Sequence, residues 1–175
     1  MWQQLKYMPL WLRRVLHCRG FGIQSPTDYA FVRYVINEHW PYYQYRELGH
    51  GDDWLTRKLG RLYFRLSNWR QPAVIVSDRY ADYLAAGCRR ARLTQGVDGI
   101  VELARFTVEQ EGLVCQAMDN TDSRSLLVVE GIDRRPDVWR RLVDDPRSRV
   151  AFDLYYCGIV TFDNKRTKQH YIINF

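Results

Sequence analysis

Four acidic residues lie at or near the ends of predicted strands, where open α/β sheets bind their ligands. They are Asp78, Glu102, Asp119 and Glu130. Carboxylates at such an edge could hold a cofactor or act in catalysis. Acids that follow strands also serve as helix caps and turn residues. The turn that contains Asp78 has no glycine to bring the backbone close to a ligand, which favours the structural interpretation, and no catalytic residue is predicted.

A second group of residues suits phosphate binding. Arg57, Arg61 and Arg65 recur at a spacing of four on a predicted helix, with Lys58 beside them. Trp69 and nearby tyrosines could stack on bases, so these residues are candidates for contact with nucleic acid. The aromatic segment 39–45 could form a partner surface. The alternatives are that the charges only face water and that the aromatic rings pack in the core.

The sequence lacks the usual patterns for metal, serine and disulfide chemistry. Its histidines are scattered without ligand spacing, and no GxSxG motif occurs, so neither a metal site nor a serine nucleophile is predicted. The cysteines are far apart and form no CxxC pair, which predicts reduced thiols and a cytoplasmic protein. These residues are His17, His39, His50, His170, Cys18, Cys88, Cys115 and Cys157.

The element that must position Asp78 is a strand, turn and helix within residues 71–93. Residues 73–76 form a short apolar run, typical of a strand buried on both faces of a parallel sheet. Apolar residues spaced by three and four follow at once and predict a helix. Strand, tight turn and helix form the start of a nucleotide-binding βαβ unit. The turn itself, SDRYAD, contains no glycine.

The remaining patterns complete an α/β chain. Apolar runs predict further strands, and amphipathic spacing or capping residues predict further helices. The short charged segment 163–168 predicts a hairpin-like antiparallel link between the last two strands, and 119–123 is predicted to be a loop. The predicted strands are 99–104, 113–118, 125–130, 150–161 and 169–175, and the predicted helices are 2–16, 25–38, 54–69 and 133–143.

Composition indicates an ordinary globular domain. The chain has 175 residues, of which 46% are hydrophobic and 26% charged, with a net charge of +6. This charge permits an acidic partner such as nucleic acid without requiring one. No apolar run approaches the roughly 18 residues that span a bilayer, so no membrane association is predicted. We predict an N-terminal helical extension over residues 1–53 and one compact α/β domain over residues 54–175.

Several segments resemble a bacterial group of class I S-adenosylmethionine-dependent methyltransferase-like proteins. They are GIQSP at 22–26, YYQY at 42–45, GRLYFRL at 60–66, VAFDLYYCGIV at 150–160 and KQHYIINF at 168–175. Together with neighbouring residues they cover about half of the chain. The resemblance implies a Rossmann-like fold with a mostly parallel sheet and a C-terminal antiparallel strand pair. It also implies that Asp78 and Glu102 would bind S-adenosylmethionine, with Glu102 on the ribose.

The chain departs from the family at the cofactor position. A glycine-rich loop should follow the first strand, but Ser77, Asp78, Arg79 and Tyr80 stand there. The stretch between Glu102 and the strand at 125–130 is also about one strand–helix unit short. We therefore expect a degenerate methyltransferase-like domain without catalysis or cofactor, acting as a binding or assembly module and able to self-associate. The alternatives are an active methyltransferase and a nucleic-acid-binding module.

Overall fold

A computed structural model describes residues 8–17 and 20–175. The predicted N-terminal helix is therefore described only in part, because residues 2–7 lie outside these ranges. Its later part forms helix α1, Met8–Arg13, and a 3₁₀ turn, Val15–His17. Cys18 also lies outside the described residues.

The chain divides into two compact units. The first, called the helical unit, comprises Met1–Gln71, Tyr80–Arg89 and Ile173–Phe175, and the second, called the sheet unit, comprises Pro72–Arg79 and Arg90–Ile172. The strand and the helix of the predicted βαβ start thus belong to different units. The predicted boundary between residues 53 and 54 stays a prediction.

The helical unit contains the predicted capped helix. Helix α2, Pro26–Phe31, starts where the Ser25 hydroxyl accepts a hydrogen bond from the amide of Asp28 at 3.3 Å. It continues as a π-helix, Val32–Ile36, which the amide of Asn37 ends by donating to the carbonyl of Val32 at 2.8 Å. A short 3₁₀ helix, Tyr43–Arg46, follows.

Helix α3, Trp54–Arg70, is the longest helix of the helical unit, and it confirms the amphipathic prediction. The Asp53 carboxylate caps it by accepting from the amide of Thr56 at 2.7 Å. Its buried stripe includes Leu59, Leu62 and Leu66. Helix α4, Ala81–Gly87, packs closely against α3, because Gly60 leaves space for the ring of Tyr83.

The sheet unit contains seven strands in the order β2-β1-β3-β4-β6-β5-β7. Strands β2, β1, β3 and β4 are parallel, β6 is antiparallel to both β4 and β5, and β7 is parallel to β5. This arrangement confirms the predicted Rossmann-like class. The strands are β1 Val74–Val76, β2 Arg92–Thr94, β3 Val101–Thr107, β4 Thr121–Glu130, β5 Val150–Asp153, β6 Cys157–Thr161 and β7 Gln169–Ile172.

Two helices cover one face of this sheet. Helix α5, Glu111–Asp119, and helix α6, Pro136–Asp144, bury their apolar residues in a core with the strands. On β3 this core takes Ala104 and Phe106. Because side chains alternate along a strand, Arg105 lies on the opposite face.

Several predicted elements are wrong. Residues 113–118, predicted to be a strand, belong to helix α5. Val114, Ala117 and Met118 are buried at helical spacing, so this short apolar segment is the buried face of a helix. The segment 119–123 contributes the end of α5 and the start of β4. The predicted strand 99–104 begins at Val101 and runs on to Thr107.

The predicted hairpin-like link at 163–168 between the last two strands is also wrong. The predicted strand 150–161 is split into β5 and β6 by a turn in which Tyr155 has a φ of 74°. Strand β6 then takes its place between β4 and β5, so the connection 163–168 crosses to the far side of β5. Strand β2 was not predicted, because its three residues carry no apolar run.

Gly158 of β6 provides a test of the packing between the sheet and α6. A Cβ atom at this position would overlap the indole ring of Trp139, so Gly158→Ala should lower the free energy of unfolding by about 1–3 kcal/mol. The control is Gly112→Ala in the same unit, where no atom lies within 4 Å of an added Cβ. Its stability should be unchanged or up to about 1 kcal/mol higher. Urea unfolding of both variants measures the difference, and equal stabilities would contradict this packing.

Candidate functional site

The carboxyl ends of β1 and β3 form the first candidate site. The chain runs from β1 outward to β2 in one direction, whereas β3 lies on the other side of β1 and leads on to β4. This reversal is a topological switch point, where doubly wound sheets bind ligands outside the carboxyl ends of the strands. Asp78 follows the end of β1 directly, as the sequence predicted.

An ion cluster, named here the Arg105 cluster, occupies this edge. The guanidinium of Arg105 places Nη1 at 2.6 Å from Oδ1 of Asp78 and Nε at 2.7 Å from Oε1 of Glu130. Arg105 is only 1% exposed. A buried cation needs such partners, because an isolated charge in the protein interior is very costly. The structure thus brings together two of the four predicted acids, Asp78 and Glu130.

Gln110 engages the second carboxylate oxygen of Asp78. Its Nε2 donates to Oδ2 of Asp78 at 3.2 Å, and its Oε1 accepts from the amide of Thr107 at 2.9 Å. Both oxygens of Asp78 are therefore occupied by side chains of the same unit. Sequence reasoning missed Arg105 and Gln110. The available signal was an arginine between Ala104 and Phe106, which is unusual in a buried strand.

The turn after β1 is also closed by its own hydrogen bonds. The Ser77 hydroxyl donates to the carbonyl of Arg79 at 2.6 Å and accepts from the amide of Arg79 at 3.3 Å. The next residue, Tyr80, has a φ of 60°. This left-handed backbone conformation favours glycine, the residue that nucleotide-binding turns use. Here a residue with a bulky side chain adopts it.

The other two predicted acids lie elsewhere. Glu102 is near the amino end of β3, where its carboxylate accepts from the amide of Ala73 at 3.1 Å. Since Glu102 is level with Val74, Asp78 is four residues further along, or about 13 Å in the strand direction. Glu102 therefore does not share an edge with Asp78. Asp119 ends helix α5 and pairs with Arg147.

The helical unit holds the second candidate site, a cavity of about 850 Å³ named here the aromatic cavity. It combines the two segments that the sequence analysis considered separately. One wall comes from residues 36–46 and the other from α3, with the ring of Phe175 completing the lining. All four predicted nucleic-acid candidates, Arg57, Lys58, Arg61 and Arg65, line it. Trp69 is not among the lining residues and instead packs on Phe31 at 4.9 Å between ring centroids.

Arg65 is a structural member of this cavity. It is 7% exposed, and its Nε and Nη2 donate to the carbonyls of Val35 and Ile36 at 2.6 and 2.8 Å. Its Nη1 also approaches the Tyr45 hydroxyl at 3.4 Å. The guanidinium thus neutralises carbonyls at the end of the π-helix, where the helix dipole is negative. Arg57 likewise donates to backbone carbonyls, those of Gly49 and Asp52 at 3.3 and 2.9 Å.

The other basic groups of the cavity lie over aromatic rings. The Lys58 ammonium is 4.9 Å from the ring centroid of Trp54 and 4.5 Å from that of Phe175. The Arg61 guanidinium is 4.7 Å from the centroid of Tyr45, and that of Arg46 is 5.8 Å from the centroid of Tyr43. Such cation–π contacts orient a charge without neutralising it.

Glu38 is the acidic side chain among the lining residues, against five basic ones. It accepts a hydrogen bond from the Tyr42 hydroxyl at 2.8 Å. Burial, followed by this hydrogen bond, raises the pKa of Tyr42 to about 12. Burial also raises the pKa of Tyr45, against the lowering effect of Arg65. The cavity therefore carries an excess of positive charge at neutral pH.

Comparison of the chain with protein-family models, with curated proteins and with solved structures finds no match. The resemblance to methyltransferases therefore stays an expectation from the sequence. Among the described residues no group of three or more His, Cys, Asp or Glu side chains is placed to hold a metal ion. Within the same ranges no helix is long and apolar enough to cross a membrane.

Removal of the buried cation tests the Arg105 cluster. Arg105→Met should lower the free energy of unfolding by about 3–5 kcal/mol, because it takes the cation away from two carboxylates of the folded sheet. The control Arg140→Met removes an exposed arginine from α6 and should change stability by less than about 0.5 kcal/mol. Urea unfolding at neutral pH measures both. An Arg105→Met protein as stable as the control would contradict a structural role for the cluster.

The raised pKa of Tyr42 predicts a loss of stability in alkali. The folded protein holds the phenol proton more tightly than the unfolded chain, whose tyrosines titrate near pH 10. The contribution is therefore present below about pH 10 and is lost as the pH rises towards about 12. Tyr42→Phe should show a shallower fall in urea-unfolding stability between about pH 9 and about pH 11 than the unmodified protein. Identical slopes would contradict the assignment.

Proposed function

We propose that this protein is a binding module built on a methyltransferase-like sheet that uses no S-adenosylmethionine and performs no catalysis. The observation that carries the proposal is the Arg105 cluster. Both carboxylate oxygens of Asp78 are engaged within the sheet unit, by Arg105 and Gln110. With one hydrogen bond on each oxygen, this carboxylate has already used about half of its roughly four acceptor sites, so less of its capacity is left for the polar groups of a cofactor.

Two further features support the absence of a working cofactor site. The turn Ser77–Arg79 binds its own backbone, and Tyr80 stands at the left-handed position where a glycine would open the loop. Glu102, the other cofactor candidate, is about 13 Å away along the strands and bonds the backbone of Ala73. One ligand placed outside the carboxyl ends of the strands would not reach Glu102 as its ribose partner.

The proposed module suits the cytoplasm. Cys88, Cys115 and Cys157 form no disulfide within the described residues, which would suit a reducing compartment. A second copy of the chain would be one way to cover the outer edge of a short sheet, so self-association is part of this proposal.

Calorimetric titration with S-adenosylmethionine and with S-adenosylhomocysteine tests the proposal. We expect no saturable heat at millimolar ligand from a sample that shows a cooperative urea transition. Saturable binding at micromolar ligand would overturn the proposal and favour an active methyltransferase. In that case Asp78→Asn and Glu102→Gln should each weaken the binding, whereas Asp119→Asn, at an acid outside the candidate site, should leave it unchanged.

A further inference from the structure

We infer that the aromatic cavity of the helical unit binds single-stranded nucleic acid, with its exposed rings stacking on bases and its arginines holding phosphates. This inference rests on the proposed binding role and names the ligand. It does not depend on the sheet unit, because every residue that lines the cavity belongs to the helical unit.

The charge of the cavity indicates an anionic ligand. Five basic side chains and one acidic side chain line about 850 Å³. Arg46 and Arg61 are the best candidates for anion contacts, because neither forms an ion pair with a carboxylate within the described chain. A guanidinium that keeps its charge beside a concave surface raises the local concentration of anions and can bind a phosphate through two hydrogen bonds.

The exposed rings indicate unpaired bases. Trp40 is 69% exposed and Tyr43 is 81% exposed, and both line the cavity. Large aromatic side chains usually bury most of their surface. Two exposed rings beside a basic cavity therefore indicate a surface that binds a ligand. Stacking on rings requires bases whose faces are open, which a single strand offers and a duplex does not.

A buried amide inside the cavity adds an independent observation. Nδ2 of Asn37 is buried and has no hydrogen-bond partner among the described residues. Buried donors nearly always have partners, and Asn37 lines the cavity. Because Nδ2 has almost no exposed surface, a base carbonyl or a phosphate oxygen would reach this donor only after the Asn37 side chain turned towards the cavity. The preceding π-helix, Val32–Ile36, positions Asn37, and such irregular turns are frequent at functional sites.

The hydrogen bonds of the other arginines indicate which side chains of the cavity would contact the ligand. Arg65 is bound to two backbone carbonyls, so it supports the wall of the cavity. Arg57 donates to the loop carbonyls of Gly49 and Asp52, so its guanidinium also supports the wall of the cavity. Direct phosphate contacts are therefore assigned to Arg46 and Arg61, and stacking is assigned to Trp40 and Tyr43.

The test is fluorescence anisotropy with labelled single-stranded oligonucleotides of about ten residues, one of RNA and one of DNA, measured over a series of salt concentrations. Arg61→Ala and Arg46→Ala should each reduce the slope of log affinity against log salt by about 0.7, the value for one lost phosphate contact on a single strand. Tyr43→Ala and Trp40→Ala should weaken binding about tenfold with little change of slope.

Matched variants in the same unit serve as controls. Arg89→Ala removes an exposed arginine outside the cavity, and Tyr34→Ala removes a ring that is 66% exposed and does not line it. Both should bind as the unmodified protein does. Polyglutamate should not displace the strand at equal charge. The matching duplex should bind more weakly, by about tenfold or more, because its bases are already stacked.

Binding of either strand with these selective losses would support the inference. Equal losses in Arg89→Ala and Arg61→Ala, or displacement by polyglutamate, would show binding by charge alone and overturn it. Failure of both strands to bind at low salt would also overturn it. None of these results bears on the cofactor edge, because the titration with S-adenosylmethionine tests that edge separately.

Discussion

The guanidinium of Arg105 is the constraint on which the sheet unit depends. A charge at the centre of a sheet is tolerated only where carboxylates and further hydrogen bonds replace the lost water. Here the partners come from the turn after β1 and from the end of β4, the strands on either side of β3. The same contacts that stabilise the sheet interior occupy its carboxyl edge. A ligand at that edge would therefore compete with the ion cluster for the same acids.

Arg65 solves a similar problem in the helical unit by other means. Its partners are the carbonyls of Val35 and Ile36, at the end of a π-helix, where the partial negative charge of the helix is concentrated. The wide turn and the buried cation support each other. They place Asn37 and the following aromatic segment around a concave surface. Of the arginines on the predicted stripe, one is thus structural and another, Arg61, keeps its charge beside an aromatic ring.

The two units offer a ligand different things. The carboxyl edge of the sheet presents acids that are already paired, in a turn closed by its own hydrogen bonds. The cavity of the helical unit presents cations over aromatic rings and two exposed rings. Paired charges give less gain to an incoming group, because part of their hydrogen-bonding capacity is already used. The helical unit therefore keeps more unused binding capacity than the carboxyl edge of the sheet, where the topology of the fold predicts a ligand.

Local patterns in the sequence determined the fold class and many of its parts. Capping residues such as Ser25, the amphipathic stripe of α3 and the apolar run of β1 act over short distances, and the structure confirms all three. Residues 113–118 show the limit of this reasoning, since a short apolar run fits a strand and a buried helix equally well. The predicted hairpin was wrong because strand pairing is a long-range choice that the length of a loop does not determine.

The sequence by itself determined the set of chemically suitable residues: acids after strands, arginines at helical spacing and an aromatic segment. Only the tertiary structure decided which of them are available. Arg105 and Gln110 occupy Asp78, Glu102 lies at the other end of its strand, and Arg65 is bound to carbonyls, whereas Arg61 is not. The reason is physical. A side chain's type sets what it can bind, but its partners are brought from distant parts of the chain, and those partners decide whether any binding capacity remains.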